Sequence, residues 1–225
     1  MAWDIRQLDP QWPFDLMGTS FTLDPAATAL LVIDMQAGQS KLAEDSPLAQ
    51  RYPDMARYFN QRGEAVVMSA NLRLLEHFRA RRMPVVFTRN GSLTPGGLER
   101  TARLRRRPAT CYRGSAVYEI FEAFRPGENE PVIDKLTSSA FTASCLDHVL
   151  RNFGVRALVV TGVVTDMCVL GTARTGAELG YDVLICEDAC AAYTQRCHDE
   201  ALLTHARRFG RVAQADEIIT ELVSA

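Results

Sequence analysis

Several classes of protein are excluded by what the sequence lacks. None of its apolar runs approaches the roughly 20 residues that a membrane-spanning helix needs. The opening stretch MAWDIRQLDPQWPFD has neither the basic region nor the apolar region of a secretory signal. The formal net charge is only −2 over 225 residues, so no charge excess favours nucleic acid or an anionic membrane as a partner. We therefore expect a cytoplasmic protein that binds neither.

Lysine is scarce as well. Only Lys41 and Lys135 occur among 25 basic residues, which draws attention to each of them. The six cysteines lack the regular spacing of a small disulfide-stapled domain, so we interpret them as reduced thiols. The four histidines fall in predicted helices without the spacing of metal ligands. We accordingly expect no metal and no other cofactor.

Apolar runs alternate along the chain with segments of helical periodicity. The run ALLVI at 29–33 is apolar throughout, which is typical of a strand buried on both faces. Comparable patterns predict strands at 84–88, 131–133, 157–161, 183–186 and 211–213, and helices at 64–82, 117–124, 142–153, 168–179, 198–209 and, capped by Asp216, up to 222. This alternation predicts a parallel sheet covered by helices on both faces. No linker divides the chain, so we expect one domain over 1–225 with 1–27 as an N-terminal leader.

Three reactive side chains fall at or just beyond the ends of predicted strands. Asp34 follows the first strand, Lys135 the third and Cys168 the fourth. Ligands of open parallel sheets bind outside these ends, so we expect the three side chains to converge. Each alone has a commoner structural role, the cysteine as a small buried apolar group. Together they favour nucleophilic chemistry, because a helix N-terminus and a lysine lower the pKa of a thiol and a carboxylate can accept its proton.

Three segments carry a resemblance to a known family. ALLVIDMQ at 29–36, VIDKLTSSAF at 132–141 and VVTGVVTDMCV at 159–169 resemble, in order and spacing, the signature of the isochorismatase-like cysteine hydrolases. A weaker match, GYDVLICEDACAAYTQRCHDEAL, follows at 180–202. The resemblance implies a three-layer α/β/α, Rossmann-like doubly wound fold with a six-stranded, mostly parallel sheet.

The resemblance also implies roles for particular residues. It implies a catalytic triad of Asp34, Lys135 and Cys168, and a cis peptide bond between Val163 and Val164. The backbone N–H groups of Val164 and Cys168 would form the oxyanion hole. Homo-oligomers, dimers or tetramers, are what the resemblance leads us to expect.

This sequence differs from two branches of the family, and the differences limit the branch to which it can belong. Siderophore-type isochorismatases resemble the chain but have glycine where Cys168 stands, so the thiol favours hydrolysis of a C–N bond through a thioester. Nicotinamidases carry metal-binding histidines after the second strand, where this chain reads FTRNGSLTP at 87–95. The resemblance then implies a metal-free amidohydrolase of small amides or ureides, such as N-carbamoyl compounds, ureidoacrylate or biuret, releasing ammonia or an amine.

Other functions stay open at this point. An isochorismatase-type or nicotinamidase-like hydrolase and a non-catalytic binding member of the fold are the alternatives. A third is a redox protein in which Cys168 pairs with another thiol, such as Cys186 or Cys190. Peroxide-dependent disulfide formation would distinguish that redox protein from a hydrolase.

Substrate selection is expected from the loop after the second strand and from nearby positions. Arg89 is a candidate partner for a substrate carboxylate, and a structural bond to loop carbonyls is an equal alternative. Further candidates for the pocket wall are Gln36, Asn90, Tyr112 and Phe141, the last being equally consistent with plain core. The arginine-rich run at 100–107 has the composition of an anion site, but we interpret it as a solvated face or an oligomer contact.

Overall fold

The computed structural model describes residues 3–224, which build one six-stranded sheet. Its strands are β1 Thr28–Ile33, β2 Val85–Asn90, β3 Val132–Lys135, β4 Ala157–Val163, β5 Asp182–Ala191 and β6 Arg211–Ala213. All neighbouring strands are parallel, in the order β3-β2-β1-β4-β5-β6. The chain thus builds one half of the sheet outward from β1, and then returns beside β1 to build the other half. The switch point of this doubly wound sheet lies between β1 and β4.

Helices connect the strands. The α-helices within the described range are α1 Phe14–Met17, α2 Ala37–Ser40, α3 Pro47–Arg51, α4 Pro53–Arg62, α5 Met68–Ala80, α6 Leu146–Asn152, α7 Leu170–Glu178, α8 Gln195–Arg208 and α9 Ala215–Ser224. π-Helical turns at Gly63–Val67 and Thr165–Val169 run directly into α5 and α7. Short 3-10 turns lie at Ile5–Gln7, Pro25–Ala27, Leu104–Arg106, Ala116–Tyr118 and Glu122–Phe124.

The alternation of side chains along β1 explains the three layers. Leu30 and Val32 pack with residues of α4, α5 and α9 on one face of the sheet. Leu31 and Ile33 point to the other face and pack with residues of α6, α7 and α8. Successive residues of a strand point to opposite faces, so an all-apolar strand needs a helical layer on each side. The three-layer α/β/α fold predicted from the sequence is therefore confirmed.

Several predicted boundaries are wrong. The helix expected from 64 begins at Pro53 and continues through a π-helical turn into α5. The helix expected at 117–124 is a pair of 3-10 turns. The helix expected from 142 begins only at Leu146, because Ala143 has a φ of +56° that interrupts helical backbone. Asp216 lies inside the first turn of α9 rather than capping it.

Residues 3–27 pack against the sheet layers instead of standing apart from them. Leu23 belongs to one core, and Trp3 and Ile5 lie against the other. Asp9 forms an ion pair with Arg207 on α8. None of the helices in residues 3–224 is long and apolar enough to cross a membrane.

Candidate active site

Asp34 is the first residue beyond β1, at the switch point of the sheet. Its backbone has a φ of +52°, a conformation that aspartate adopts more readily than most residues. Thr88 on β2 donates a hydrogen bond from Oγ1 to Asp34 Oδ1 over 2.6 Å, and Oγ1 accepts one from the Asp34 N–H over 3.1 Å. Both side chains are fully buried. Thr88, which no sequence motif marks, thus fixes the orientation of the carboxylate.

Lys135 reaches this carboxylate from the edge strand β3, across β2. Its Nζ lies 2.8 Å from Asp34 Oδ2 and 3.1 Å from Cys168 Sγ. Nζ also donates to the backbone carbonyls of Thr137 and Ser138, over 3.0 and 3.3 Å. Burial disfavours the charged amine, but the negative charges beside it outweigh burial and raise its pKa. Lys135 is therefore a charged ammonium between a carboxylate and a sulfur.

Cys168 lies in the π-helical turn that follows β4, and it is 8% exposed. Burial and the charge of Asp34 raise the pKa of its thiol to about 12, although Lys135 acts in the opposite direction. The lowered pKa expected from the sequence is therefore wrong, because burial of the thiol, which residue spacing does not encode, outweighs the ammonium beside it. At neutral pH the thiol is protonated, and Asp34 is placed to accept its proton.

The backbone around this cysteine has an unusual form. The peptide bond between Val163 and Val164 is cis. The Val164 carbonyl accepts hydrogen bonds from the N–H groups of Met167 and Val169, over 3.0 and 3.2 Å. Among the described residues, the N–H of Cys168 makes no bond to that carbonyl. Val164 and Cys168 both line a cavity, where their N–H groups are candidates to meet a bound carbonyl oxygen.

Gly162 permits β1 and β4 to approach each other at the site. It pairs with Ile33 across the two strands and has a φ of +108°. A Cβ at this position would lie 2.0 Å from the Ile33 carbonyl oxygen, closer than any side chain can be accommodated. The glycine in the TGVV segment is therefore a steric requirement for bringing Asp34 and Cys168 to neighbouring strand ends.

An open cavity of about 780 Å³ leads to Cys168. Asn90, Leu136, Tyr193 and three arginines of the run at 100–107 contribute to its wall. The loop after β2, from which substrate selection is expected, therefore forms part of the cavity wall. Tyr193, which follows β5, was not selected from the sequence because no motif marks it.

Of the predicted substrate-binding residues, Asn90 lines the cavity and Gln36 does not. The Gln36 side chain is fully buried, where Oε1 accepts from the Asn90 N–H over 2.7 Å and Nε2 donates to the Tyr118 carbonyl over 2.5 Å. Both ends of its amide are thus taken up by the protein. Gln36 supports the backbone of the wall instead of facing a ligand.

Arg89 is also occupied by the protein. Its Nε donates to Asp134 Oδ1 over 2.8 Å and its Nη1 to Glu119 Oε2 over 3.0 Å. The guanidinium carbon lies 4.9 Å from the centre of the Tyr118 ring. Arg89 does not line the cavity, so the structural role is the one that the structure favours.

Tyr112 and Phe141 do not line the cavity either. Tyr112 lies in a turn held by Ser115, whose Oγ donates to the Tyr112 carbonyl over 2.7 Å. The Phe141 ring stacks on Tyr181 with 5.7 Å between centroids and packs against the buried core. The core role that was left open for Phe141 is the observed one.

A buried polar network supports the turn that carries Cys168. Thr165 Oγ1 lies 2.9 Å from His198 Nδ1, and Arg62 Nη2 lies 2.9 Å from His198 Nε2. Arg62 Nη2 also contacts Glu187 Oε1 over 2.7 Å, and Gln214 Nε2 donates to Glu187 Oε2 over 3.0 Å. Burial lowers the pKa of His198. Burial opposes ionisation of Glu187, but hydrogen bonds outweigh it and lower the Glu187 pKa to about 2. No sequence motif marks this network, because its members come from distant elements.

The other cysteines do not form a second reactive centre. All six thiols are free, and Cys186 and Cys190 are fully buried. Burial raises the pKa of both thiols above its usual range. Within residues 3–224, no three His, Cys, Asp or Glu side chains are placed to share a metal ion.

The fold and site together define a doubly wound α/β protein with a buried carboxylate, ammonium and thiol at its switch point. The chain belongs to the isochorismatase family, since the Isochorismatase domain of that family matches residues 28–217. It is 28% identical to ureidoacrylate amidohydrolase RutB of Pseudomonas syringae pv. syringae (strain B728a), over 96% of this chain and 92% of that protein. RutB of Caulobacter vibrioides (strain ATCC 19089 / CIP 103742 / CB 15) is 33% identical over 74% of this chain and 78% of its own.

Solved structures agree with this assignment. A cysteine hydrolase from Pseudomonas syringae pv. phaseolicola 1448A superposes with a TM-score of 0.76 at 26% identity, over 92% of this chain and 97% of that chain. N-carbamoylsarcosine amidase from Thermoplasma acidophilum superposes with a TM-score of 0.66 at 26% identity, over 85% of this chain and 98% of that chain.

Proposed function

We propose that this protein hydrolyses a C–N bond of a small amide or ureide through a thioester on Cys168. Relatives named as amidohydrolases support a hydrolase acting on carbon–nitrogen bonds. The observation that carries the specific mechanism is the position of Lys135 Nζ, 2.8 Å from Asp34 Oδ2 and 3.1 Å from Cys168 Sγ. This arrangement lies at a cavity large enough for a small substrate.

The first half of the reaction forms the thioester. Cys168 passes its proton to Asp34 as Sγ attacks the substrate carbonyl carbon, so no thiolate accumulates beforehand. The charged Lys135 stabilises the sulfur as it loses the proton. The N–H groups of Val164 and Cys168 receive the oxyanion. Asp34 then delivers the proton to the leaving nitrogen, the C–N bond breaks, and ammonia or an amine departs.

The second half releases the product. Water attacks the thioester carbonyl, and Asp34 accepts a proton from that water. The C–S bond breaks, and the proton on Asp34 returns to the Cys168 sulfur. The enzyme ends in its starting protonation state. Asp34 thus acts as base and acid in each half of the reaction.

The test combines turnover with detection of the intermediate. A panel of small amides and ureides is assayed by ammonia release, and reactions are quenched in acid for mass spectrometry of the intact protein. We expect turnover of at least one ureide and an acyl adduct that maps to Cys168. Cys168→Ala should retain the fold by circular dichroism and lose both signals. Turnover that survives this substitution would refute the thioester.

We further propose that the protein acts in the cytoplasm as a dimer or tetramer. The six free thiols support a reducing compartment. Exposed apolar side chains such as Leu16 and Leu98, which are 82% and 79% exposed, support an interface with another copy. Light scattering of the purified protein measures the oligomeric state, and a monomer at micromolar concentration would contradict that part.

A further inference from the structure

The charged side chains on the wall of the Cys168 cavity are all arginines. Arg100, Arg103 and Arg107 belong to this wall, and no Asp or Glu among the described residues does. The run at 100–107 therefore does not act only as the solvated face or oligomer contact expected from the sequence. It places positive charge on the wall of the cavity that Cys168 also lines.

Arg100 is committed to holding its own loop together. Its Nε donates to the Gly97 carbonyl over 3.3 Å, its Nη1 to the Pro108 carbonyl over 3.4 Å and its Nη2 to the Arg107 carbonyl over 2.5 Å. These bonds join the two ends of the arginine-rich loop. Arg100 therefore fixes the shape of the wall and has little capacity left for a ligand.

Arg103 and Arg107 are different. Within residues 3–224, neither guanidinium makes an ion pair or a side-chain hydrogen bond to the protein. Both residues are exposed, and both contribute to the wall of the cavity. A guanidinium offers five N–H donors in a planar fork, which matches the two oxygens of a carboxylate. Two such forks on one wall form a site for an anionic group.

Arg89 does not compete for this role. Its donors are bound to Asp134 and Glu119, and it lies outside the cavity lining. The remaining arginines of the run, Arg105 and Arg106, are exposed but also lie outside the lining. They share the charge and sequence environment of Arg103 and Arg107, so they are matched controls.

We infer that Arg103 and Arg107 bind a carboxylate carried by the substrate, at the end remote from the carbonyl that Cys168 attacks. This inference rests on the proposed function, since it assigns a charge to the substrate of the same site. It makes the substrate class an acid that bears an amide or ureide group. The wall selects it electrostatically, because a neutral amide leaves both guanidinium groups without an anion.

Binding is measured on Cys168→Ala, which cannot turn the ligands over. The probes are N-carbamoylglycine, N-carbamoyl-β-alanine and N-carbamoyl-γ-aminobutyrate, each paired with its neutral methylamide, and titrated by calorimetry. We expect one acid to bind at least about tenfold more tightly than its methylamide, as a charge-assisted hydrogen bond provides. Adding Arg103→Ala or Arg107→Ala should remove the preference, whereas Arg105→Ala or Arg106→Ala should keep it.

Charge reversal gives a second readout. Arg107→Glu should weaken binding of the preferred acid and strengthen binding of the analogue in which an amine replaces the carboxylate. Equal binding of acids and methylamides, or no binding of any acid, would overturn the inference. A loss of preference in Arg105→Ala equal to that in Arg107→Ala would also overturn it, by showing a diffuse charge effect. If inorganic phosphate binds more tightly than every acid, the inference that the two arginines bind a carboxylate would be overturned.

The two proposals fail in different ways. If acids bind through Arg103 and Arg107 but no amide or ureide yields a Cys168 adduct in the unmutated protein, the anion site stands and the proposed hydrolysis falls. If a neutral amide is hydrolysed as well as its acid counterpart, the hydrolysis stands and the anion site falls.

Discussion

Thr165 Oγ1 lies 2.9 Å from Nδ1 of His198, and this contact joins the turn that carries the nucleophile to helix α8. His198 Nε2 lies 2.9 Å from Arg62 Nη2 and 3.3 Å from Glu187 Oε1, so an arginine and a carboxylate both hold this edge of the ring. The opposite ring nitrogen, Nδ1, shares a hydrogen bond with the threonine hydroxyl. The turn is held from behind by a chain of buried polar contacts.

The hydroxyl of Thr165 should contribute more to stability than the shape of its side chain. Thr165→Val keeps the volume but leaves the buried Nδ1 of His198 without its hydrogen-bond partner, which should lower the free energy of unfolding by about 1–3 kcal/mol. Thr165→Ser retains the hydroxyl and should lose much less. Urea unfolding followed by tryptophan fluorescence measures both variants. Equal stability of the valine and serine variants would show that the contact contributes nothing.

Removing only one partner of the ion pair between Arg62 and Glu187 should lower the free energy of unfolding strongly. Their side chains are 13% and 7% exposed, so Arg62→Met leaves a buried carboxylate without its cation. We expect a loss of about 3–5 kcal/mol in the free energy of unfolding. Arg57, on the same helix, pairs with Asp54 at the surface, and Arg57→Met should cost less than about 1 kcal/mol. Similar losses in both variants would contradict the distinction.

Removing the carboxylate should make the cysteine more reactive while it stops turnover. Asp34 raises the pKa of Cys168, so Asp34→Asn should lower that pKa from about 12 and increase the thiolate fraction. Alkylation by iodoacetamide at neutral pH, resolved by mass spectrometry, should therefore accelerate at Cys168. The exposed Cys145 is an internal control whose rate should not change. An unchanged or slower reaction at Cys168 would remove Asp34 from its place beside the thiol.

Because of His205, the free energy of unfolding should decrease as the pH is lowered. Burial lowers its pKa to about 4, against the usual 6.5 of a histidine. Between these values the unfolded chain binds a proton that the folded protein refuses, so stability is full above pH 6.5 and is lost as pH falls towards 4. The shift corresponds to about 3 kcal/mol. His205→Gln should flatten the pH dependence of the unfolding free energy across this window, and exposed His148→Gln should leave it unchanged. Equal slopes in both variants would contradict the assignment.

The parallel sheet could be predicted from the sequence because its central buried strands are apolar throughout. β1 and β4 were predicted within a residue or two, and the order of helices and strands required a parallel sheet. The predicted strand at 183–186 ends before the charged residues Glu187 and Asp188. The structure satisfies the Glu187 carboxylate internally, so the strand continues to Ala191.

The site was predicted in part for a similar reason. Residues at strand ends of a parallel sheet meet at one edge, which brought Asp34, Lys135 and Cys168 together from sequence alone. The pKa of the Cys168 thiol depends on burial and on interatomic distances, and the spacing of residues along the sequence does not encode either of them. The partners of Arg89 were equally hidden, since Glu119 and Asp134 reach it only through the folded loop.

The burial of Lys135 has a practical consequence for chemical labelling. The chain has only two lysines, and the side chain of Lys135 is fully shielded from solvent, whereas that of Lys41 is 55% exposed in a surface pair with Glu64. An amine-reactive dye therefore meets a single lysine side chain on the folded protein. Lys41 is thus the one lysine at which a fluorescent reporter can be attached to the folded protein. Labelling Lys41 leaves the Lys135 ammonium beside Cys168 unmodified.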